Sequence, residues 1–251
     1  MVYKWDLHIP KLSPELSRRA YLYLPAGYDE QPDRRFPVMY MFDGHNVFFD
    51  EDATYGKSWG MARYLDETQT PLIIAAVECN SIGNNRLEEY CPFTCEDPKL
   101  GVIRGRGRAT MNWFVHEFKP MIDANIRTLS DRSNTFICGS SMGGLMSLYA
   151  ATAFNATFGK AACLSPSLWL GAGKMRRIIN QADIAPDTLI YMDYGGEEMA
   201  SHAANLSALT SCSTALLKKG VDLTFRIAPG GTHCEASWER QIPVFMKCLG
   251  F

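Results

Sequence analysis

The alternation of short apolar runs with helical patterns is the feature that most constrains the fold of this chain. Strand-like runs rich in β-branched and aromatic residues lie at 3–9, 20–24, 38–42, 72–77, 135–138, 160–164, 188–191 and 223–228. Helical patterns lie at 60–67, 110–128, 145–154, 174–180, 203–219 and 236–249. Strands separated by helices need crossover connections, so this order predicts an α/β fold with a mostly parallel central sheet and helices on both faces. The first two runs have no helix between them and predict an antiparallel edge.

The sequence predicts a single domain over residues 1–251. Its 251 residues, 47% of them apolar, are enough to form one large core, and no repeat or linker divides them. The segment 79–109 breaks the alternation, because glycines and prolines interrupt it and no periodicity is visible. Long loops inside domains are usually functional, so we expect a loop insertion here that covers a site.

Charge and cysteine usage exclude several classes of partner. The chain has 25 Lys and Arg residues and 27 Asp and Glu residues. Nucleic-acid binders usually have a basic domain or stripe, so this near-neutral balance predicts no nucleic-acid partner. The longest apolar stretch, 72–77, is too short to span a bilayer, and residues 1–10 lack a signal-peptide core. We therefore expect no membrane partner and a cytoplasmic location. The 8 cysteines show neither a disulfide framework nor zinc-ligand spacing, so no metal is expected.

The run Gly139-Ser140-Ser141-Met142-Gly143 matches the G-x-S-x-G nucleophile elbow. A strand-like run precedes it and a helical pattern follows it, which is the context the motif requires. The serine occupies a sharp turn in which the flanking positions must lack Cβ atoms, and both are glycine. The sequence therefore predicts Ser141 as a nucleophile, with the amides of the following helix N-terminus turned toward the site.

A serine nucleophile needs a general base, and the base needs a group that orients it. The histidines of the chain are His8, His45, His116, His202 and His233. Only His233 follows the last predicted strand, where the hydrolase order Ser, acid, His places the base. Asp193, Glu197 and Glu198 follow the preceding strand, and any of the three can supply the acid.

An oxyanion hole needs two backbone donors, one after the nucleophile and one from the loop after an earlier central strand. Met142 supplies the first N–H group. Asp43-Gly44-His45 follows the run 38–42, so the N–H of His45 is expected as the second, although its imidazole is an alternative donor.

Four groups of residues together resemble the Putative esterase family of α/β-hydrolases. They are Gly139 to Gly144, Leu164-Ser165-Pro166-Ser167, Glu89-Tyr90-Cys91-Pro92, and Gly231-Thr232-His233 with Glu235 and Trp238. The family includes siderophore, feruloyl and acetyl-xylan esterases, S-formylglutathione hydrolases and mycolyltransferases. The resemblance implies an α/β-hydrolase fold, Ser141 and His233 as nucleophile and base, and Glu198 as the acid through a Gly-x-x-Asp/Glu pattern. Because some siderophore esterases of the family are thought to use a Ser-His dyad, that arrangement stays open.

These residues predict a serine carboxylic-ester hydrolase that works through an acyl-enzyme and needs no cofactor. The expected partner is a small-molecule or oligosaccharide ester, such as an acyl sugar, a hydroxycinnamate or a siderophore. Trp59 and Trp169 are candidate walls for an aromatic acyl group, and Arg86 is a candidate contact for a siderophore. An acyltransferase with the same triad and a silent binding module on this scaffold are the alternatives. The sequence does not define the oligomeric state.

Overall fold

The computed structural model describes residues 1–201 and 203–251, with the side chains of 199–205 left out. Within this part of the chain, one sheet of 8 strands has the order β1-β2-β4-β3-β7-β8-β9-β10. The strands are β1 (Val2–Ile9), β2 (Ser13–Tyr23), β3 (Val38–Met41), β4 (Ile73–Val77), β7 (Thr135–Ser140), β8 (Lys160–Leu164), β9 (Leu189–Gly195) and β10 (Asp222–Ala228). A separate hairpin pairs β5 (Cys95–Asp97) with β6 (Gly101–Ile103).

Strand direction agrees with the prediction of a mostly parallel sheet that has an antiparallel edge. β1 pairs with β2 and β2 pairs with β4 in antiparallel fashion. All other pairs of the large sheet are parallel. The central strands β3, β4 and β7 are buried at every position, which explains why they appear in the sequence as continuous apolar runs.

Helices cover both faces of the sheet and enclose two apolar clusters. They are α1 (Met61–Thr68), α2 (Asn85–Glu89), α3 (Gly107–Trp113), α4 (Lys119–Asn125), α5 (Met142–Ala153), α6 (Ala172–Gln181), α7 (Gly196–Ser201), α8 (Ala203–Lys218), α9 (Glu235–Glu239) and α10 (Ile242–Leu249). Alternate residues of β3 serve the two faces, because strand side chains alternate. Val38 and Tyr40 join one cluster, whereas Met39 and Met41 join the other.

Two predicted helices are interrupted in the structure. The stretch 110–128 overlaps α3, which begins at Gly107, and contains a π-helical turn at Phe114–Phe118 and α4, which ends at Asn125. The stretch 236–249 divides into α9 and α10, and a proline stands in the first turn of α10. Proline has no N–H group to donate to the preceding turn, so it favours the start of a new helix. Apolar periodicity alone does not reveal either break.

The segment 79–109 has more regular structure than the sequence predicts. It contains α2 and the β5–β6 hairpin, elements of 5 and 3 residues that are too short to produce a periodic pattern. A buried ion pair attaches it to the sheet. Arg18 of β2, which is 1% exposed, donates to both oxygens of Glu89 at 2.9 and 2.8 Å. This bidentate pair fixes the C-terminal end of α2 against the sheet.

None of the described helices is both long enough and apolar enough to cross a membrane.

Candidate active site

Ser141 lies at the sharp turn between β7 and α5. Its backbone angles are φ 57° and ψ −118°, a strained conformation for a residue with a Cβ atom. A Cβ atom on Gly139 would lie 2.7 Å from the carbonyl carbon of Gly143, and one on Gly143 would lie 3.1 Å from Cβ of Phe42. Both flanking glycines are therefore needed for the turn to close, as the motif predicts.

A continuous hydrogen-bond chain joins Ser141, His233 and Glu198. Nε2 of His233 lies 2.9 Å from Oγ of Ser141, and Nδ1 lies 2.6 Å from Oε2 of Glu198. His233 belongs to the loop between β10 and α9, and Glu198 to α7, which follows β9. With the imidazole proton on Nδ1, Nε2 is free to accept the proton of the serine hydroxyl.

Three further groups orient the carboxylate of Glu198, which is 7% exposed. Its Oε1 accepts hydrogen bonds from the Ser165 hydroxyl at 2.8 Å and from the Gly195 N–H at 3.0 Å. The indole N–H of Trp238 donates to Ser165 Oγ at 3.0 Å, and its ring packs edge-on against His233. Both carboxylate oxygens therefore have fixed partners, and the imidazole is held between Glu198 and Trp238.

The roles of Ser165 and Trp238 depend on tertiary contacts. The motif resemblance includes both residues but assigns them no role. Ser165 directly follows β8, the neighbour of β7 in the sheet, so strand order was the one available signal that it lies near Ser141.

The two other candidate acids lie in different surroundings. Asp193 is 1% exposed and accepts from the Tyr191 hydroxyl at 2.8 Å and from the Ser165 N–H at 3.3 Å. Burial raises the pKa of Asp193 to about 6. Glu197 is exposed. Of the three candidate acids, Glu198 alone has a described hydrogen bond to His233.

The remaining histidines lie apart from this chain of contacts or outside the described residues. His8 on β1 and His116 in the π-helical turn are both exposed. His202 lies outside the residues that the structure describes. His45 lines the cleft beside Ser141.

The two predicted oxyanion donors lie after the neighbouring strands β3 and β7. Met142 is the first residue of α5, so its N–H group has no acceptor within the helix. His45 lies in the 3-10 turn Gly44–Asn46, which Asp43 begins in a left-handed conformation at φ 55°. A Cβ atom on Gly44 would lie 2.8 Å from Tyr21 and 3.0 Å from the Val77 backbone. Packing therefore requires glycine next to His45.

Arg86, the candidate substrate contact, lines the cleft, and its guanidinium pairs with Asp43. Nε and Nη2 of Arg86 donate to the two carboxylate oxygens of Asp43, both at 2.7 Å. The Asp43 N–H donates to the Tyr90 hydroxyl at 3.3 Å. Burial alone would raise the pKa of Asp43, yet the Arg86 charge and hydrogen bonds hold it below its usual value. The segment 79–109 thus anchors the loop that carries His45.

We expect Arg86→Ala to lower kcat for a small neutral ester by roughly tenfold to a hundredfold while KM changes little. The loss leaves Asp43 buried without its partner and loosens the loop of His45, and removing one oxyanion donor outright costs about 10²–10³ in kcat. Steady-state kinetics with p-nitrophenyl acetate measures both constants. Arg104→Ala is the matched control, because the Arg104 side chain is exposed. A raised KM with unchanged kcat would instead indicate that Arg86 binds the substrate.

The cleft beside Ser141 has a volume of about 590 Å³, and most of the residues that line it have polar side chains. Its lining residues are Asp43, His45, Asn46, Asp52, Thr54, Tyr55, Glu78, Cys79, Asn80, Ser81, Gly83, Arg86, Ser140, Ser141, His233, Glu235 and Trp238. Trp59 and Trp169, the expected aromatic walls, are not among these described lining residues. Trp59 is 3% exposed and packs against Trp238 in the core. Trp169 is 46% exposed at the surface, in the turn Leu168–Leu170.

Asp43, His45 and Cys79 form a group of potential metal ligands whose donor atoms lie within 4.8 Å of one another. Arg86 bonds both carboxylate oxygens of Asp43, and burial raises the pKa of the Cys79 thiol. A cation would have to displace the guanidinium and the thiol proton, so this donor set does not fit a resident metal.

The family model described as Putative esterase matches residues 13–247. The chain is 26% identical over 185 residues to Uncharacterized protein YbbA of Bacillus subtilis (strain 168), covering 72% of this chain and 69% of that protein. It is similar in structure to an IroE-like serine hydrolase from Shewanella oneidensis (TM-score 0.75, 19% identity, 99% of this chain and 79% of that one). It is also similar in structure to the enterobactin esterase FES from Shigella flexneri (TM-score 0.73, 16% identity, 99% of this chain and 58% of that one).

The sheet order and the family model together define the class of this protein, a carboxylic ester hydrolase with an α/β-hydrolase fold. The chain belongs to the Putative esterase family, as the sequence motifs predicted.

Proposed function

We propose that this protein is a serine esterase that cleaves small-molecule esters through a Ser141–His233–Glu198 triad and an acyl-enzyme. The observation that carries the proposal is the hydrogen-bond chain from Ser141 Oγ through the imidazole to Glu198. Every group in that chain has the partner that serine hydrolysis requires, and the nucleophile lies on a strained turn that opens into the cleft.

In the acylation step, Ser141 Oγ forms a bond to the acyl carbon while its proton moves to Nε2 of His233. The carbonyl oxygen becomes an oxyanion and accepts hydrogen bonds from the Met142 and His45 N–H groups. The bond to the alcohol then breaks, and the alcohol leaves with the proton held by His233. Glu198 stabilises the imidazolium throughout by accepting the hydrogen bond from Nδ1.

Water resolves the acyl-enzyme by the same steps in reverse order. His233 takes a proton from water, the resulting hydroxide adds to the acyl carbon, and Ser141 Oγ leaves with a proton from His233. These steps need no organic cofactor or metal ion. The solved structures of similar fold include enzymes named for enterobactin and for ferulic acid, so the fold is compatible with acyl groups of different shape.

A fluorophosphonate probe tests the proposal, because it phosphonylates only activated serines. We expect mass spectrometry to find the adduct on the peptide that contains Ser141 and to find none in Ser141→Ala. Ser81→Ala, in the same cleft, is the matched control and should be labelled like the wild type. Failure of the wild type to react would overturn the proposal and favour a silent binding module. A new ester formed from an added alcohol would show acyl transfer by the same triad.

A further inference from the structure

Glu235 is a buried carboxylate in the wall of the cleft that the proposed triad does not use. It lies two residues after His233, is 5% exposed, and lines the cleft. Its Oε1 accepts one hydrogen bond, from the Asn46 side chain at 3.3 Å. The Asn46 side chain is held in this orientation because its amide oxygen accepts a hydrogen bond from the Thr54 N–H at 3.0 Å. Among the described residues, Asn46 is the only other residue that donates a hydrogen bond to the Glu235 carboxylate.

The other carboxylates of the cleft have partners that compensate their burial. Asp43 is paired with Arg86, and Asp52 with Lys4. Glu78 accepts from the Arg19 N–H at 3.1 Å and from the Tyr21 hydroxyl at 3.3 Å. Within the described chain, no Lys or Arg nitrogen lies within the 4.0 Å ion-pair distance of Glu235. It is therefore a buried acceptor without a cation in the wall of the cleft.

Burying a carboxylate without a cationic partner costs free energy. Burial raises the pKa of Glu235 and the nearby Asp43 charge raises it further, whereas a hydrogen bond from its own N–H and the neighbouring His233 and His45 offset part of that rise. Because Glu235 lines the cleft and has no Lys or Arg partner, a ligand in the cleft can supply the donor that compensates the burial of its carboxylate. The neighbouring walls add the acceptor oxygens of Glu78 and Asn80.

We propose that Glu235 forms a specificity subsite that binds an electropositive group of the ester, a hydroxyl hydrogen or a cationic nitrogen, and disfavours anionic esters. The inference rests on the proposed esterase function and adds the chemistry of the substrate. Hydrogen bonds to charged acceptors are stronger than neutral ones, which gives the subsite its selectivity.

Four thioacetates with the same acyl group test the subsite. Their thiols are thiocholine (cationic), thioglycerol (hydroxylated), 3,3-dimethylbutanethiol (neutral and similar in shape to thiocholine) and 3-mercaptopropionate (anionic). We expect kcat/KM of the cationic or the hydroxylated ester to exceed that of the dimethylbutyl ester by about tenfold or more, with the anionic ester slowest. Whichever of these two esters has the higher kcat/KM shows whether the subsite prefers a cationic nitrogen or a hydroxyl hydrogen.

Glu235→Gln keeps the shape of the side chain and removes its charge. In this variant we expect the preference over the dimethylbutyl ester to fall toward unity and the anionic ester to improve. Glu67→Gln, on the exposed face of α1, is the control and should keep the wild-type ratios. Ratios within one variant do not depend on the fraction that folds, so a poorly folded sample still gives a valid result.

Two outcomes would overturn the inference, and they differ from a failure of the proposed function. Equal kcat/KM values for the four esters in the wild type would show that Glu235 does not select substrates. A Glu235→Gln variant that slows all four equally would place the carboxylate in orienting His45 or His233 instead. By contrast, a wild type that hydrolyses none of them and resists the fluorophosphonate probe would overturn the esterase proposal itself.

Discussion

Ser141→Ala is expected to lower kcat/KM for p-nitrophenyl butyrate by about 10⁴- to 10⁶-fold, the largest effect of any single substitution in this chain. The variant keeps the oxyanion donors and the cleft but has no oxygen to attack the acyl carbon, and loss of the nucleophile in a triad typically costs this much. Release of p-nitrophenol, followed spectrophotometrically, measures the rate.

Ser81→Ala should retain activity within a few fold, because Ser81 lines the same cleft without a contact to the triad. Retention of more than a few per cent of wild-type activity in Ser141→Ala would contradict the assignment of the nucleophile. Ser167, whose hydroxyl oxygen lies 3.3 Å from Ser141 Oγ, would then be the next residue to replace.

Glu198→Gln is expected to lower kcat by about 10³- to 10⁴-fold with a small change in KM. An amide in place of the carboxylate cannot stabilise the imidazolium, and it favours the wrong imidazole tautomer, which in an analogous triad costs about 10⁴. Stopped-flow or steady-state hydrolysis of the same ester gives kcat and KM separately.

Glu197→Gln is the matched control, since Glu197 is the exposed neighbour of the buried Glu198. We expect it to keep wild-type kinetics. A loss of less than tenfold in Glu198→Gln would favour a Ser-His dyad, and a large loss in Glu197→Gln would show that the acid is misassigned.

The mostly parallel sheet with its antiparallel edge, and the proximity of Ser141 to His233, could be predicted because each depends on local pattern. Ser141 lies between a strand and a helix that are both visible in the sequence, and His233 is the only histidine after the last strand. Parallel strands end at one edge of the sheet, so the loops after β7, β9 and β10 come together there. Position along the chain was therefore enough to predict that Ser141 and His233 lie close together.

The choice among the three carboxylates could not be made from local pattern. Asp193, Glu197 and Glu198 lie close together in the chain. Asp193 lies within β9, whereas Glu197 and Glu198 lie in α7, after the turn that ends the strand. A Cβ atom on Gly195 would lie 2.3 Å from the Gly231 carbonyl oxygen, so the turn after β9 and the loop of His233 are in direct contact. That approach turns Glu198 inward and leaves Glu197 at the surface. The family resemblance implies Glu198 from its sequence motif alone, without reference to this packing.

The cleft contacts were the least predictable part, because they depend on the segment 79–109. Arg86 lies in a helix of 5 residues, and its engagement with Asp43 arises only when that segment packs on the loop after β3. Trp59, the candidate wall for an aromatic acyl group, lies instead in the core beside Trp238 and Phe245. Apolar composition predicts burial for such a residue but not which surface it buries.

The central claim is a covalent acyl group on Ser141 during turnover, and rapid acid quenching tests it most directly. Enzyme mixed with excess p-nitrophenyl butyrate is quenched within the first turnovers, and intact-mass and peptide mass spectrometry then locate any adduct. We predict one butyryl group per chain, on the peptide that contains Ser141, and none in Ser141→Ala. Turnover without an adduct at any quench time, or with a butyryl group on another residue, would contradict this account.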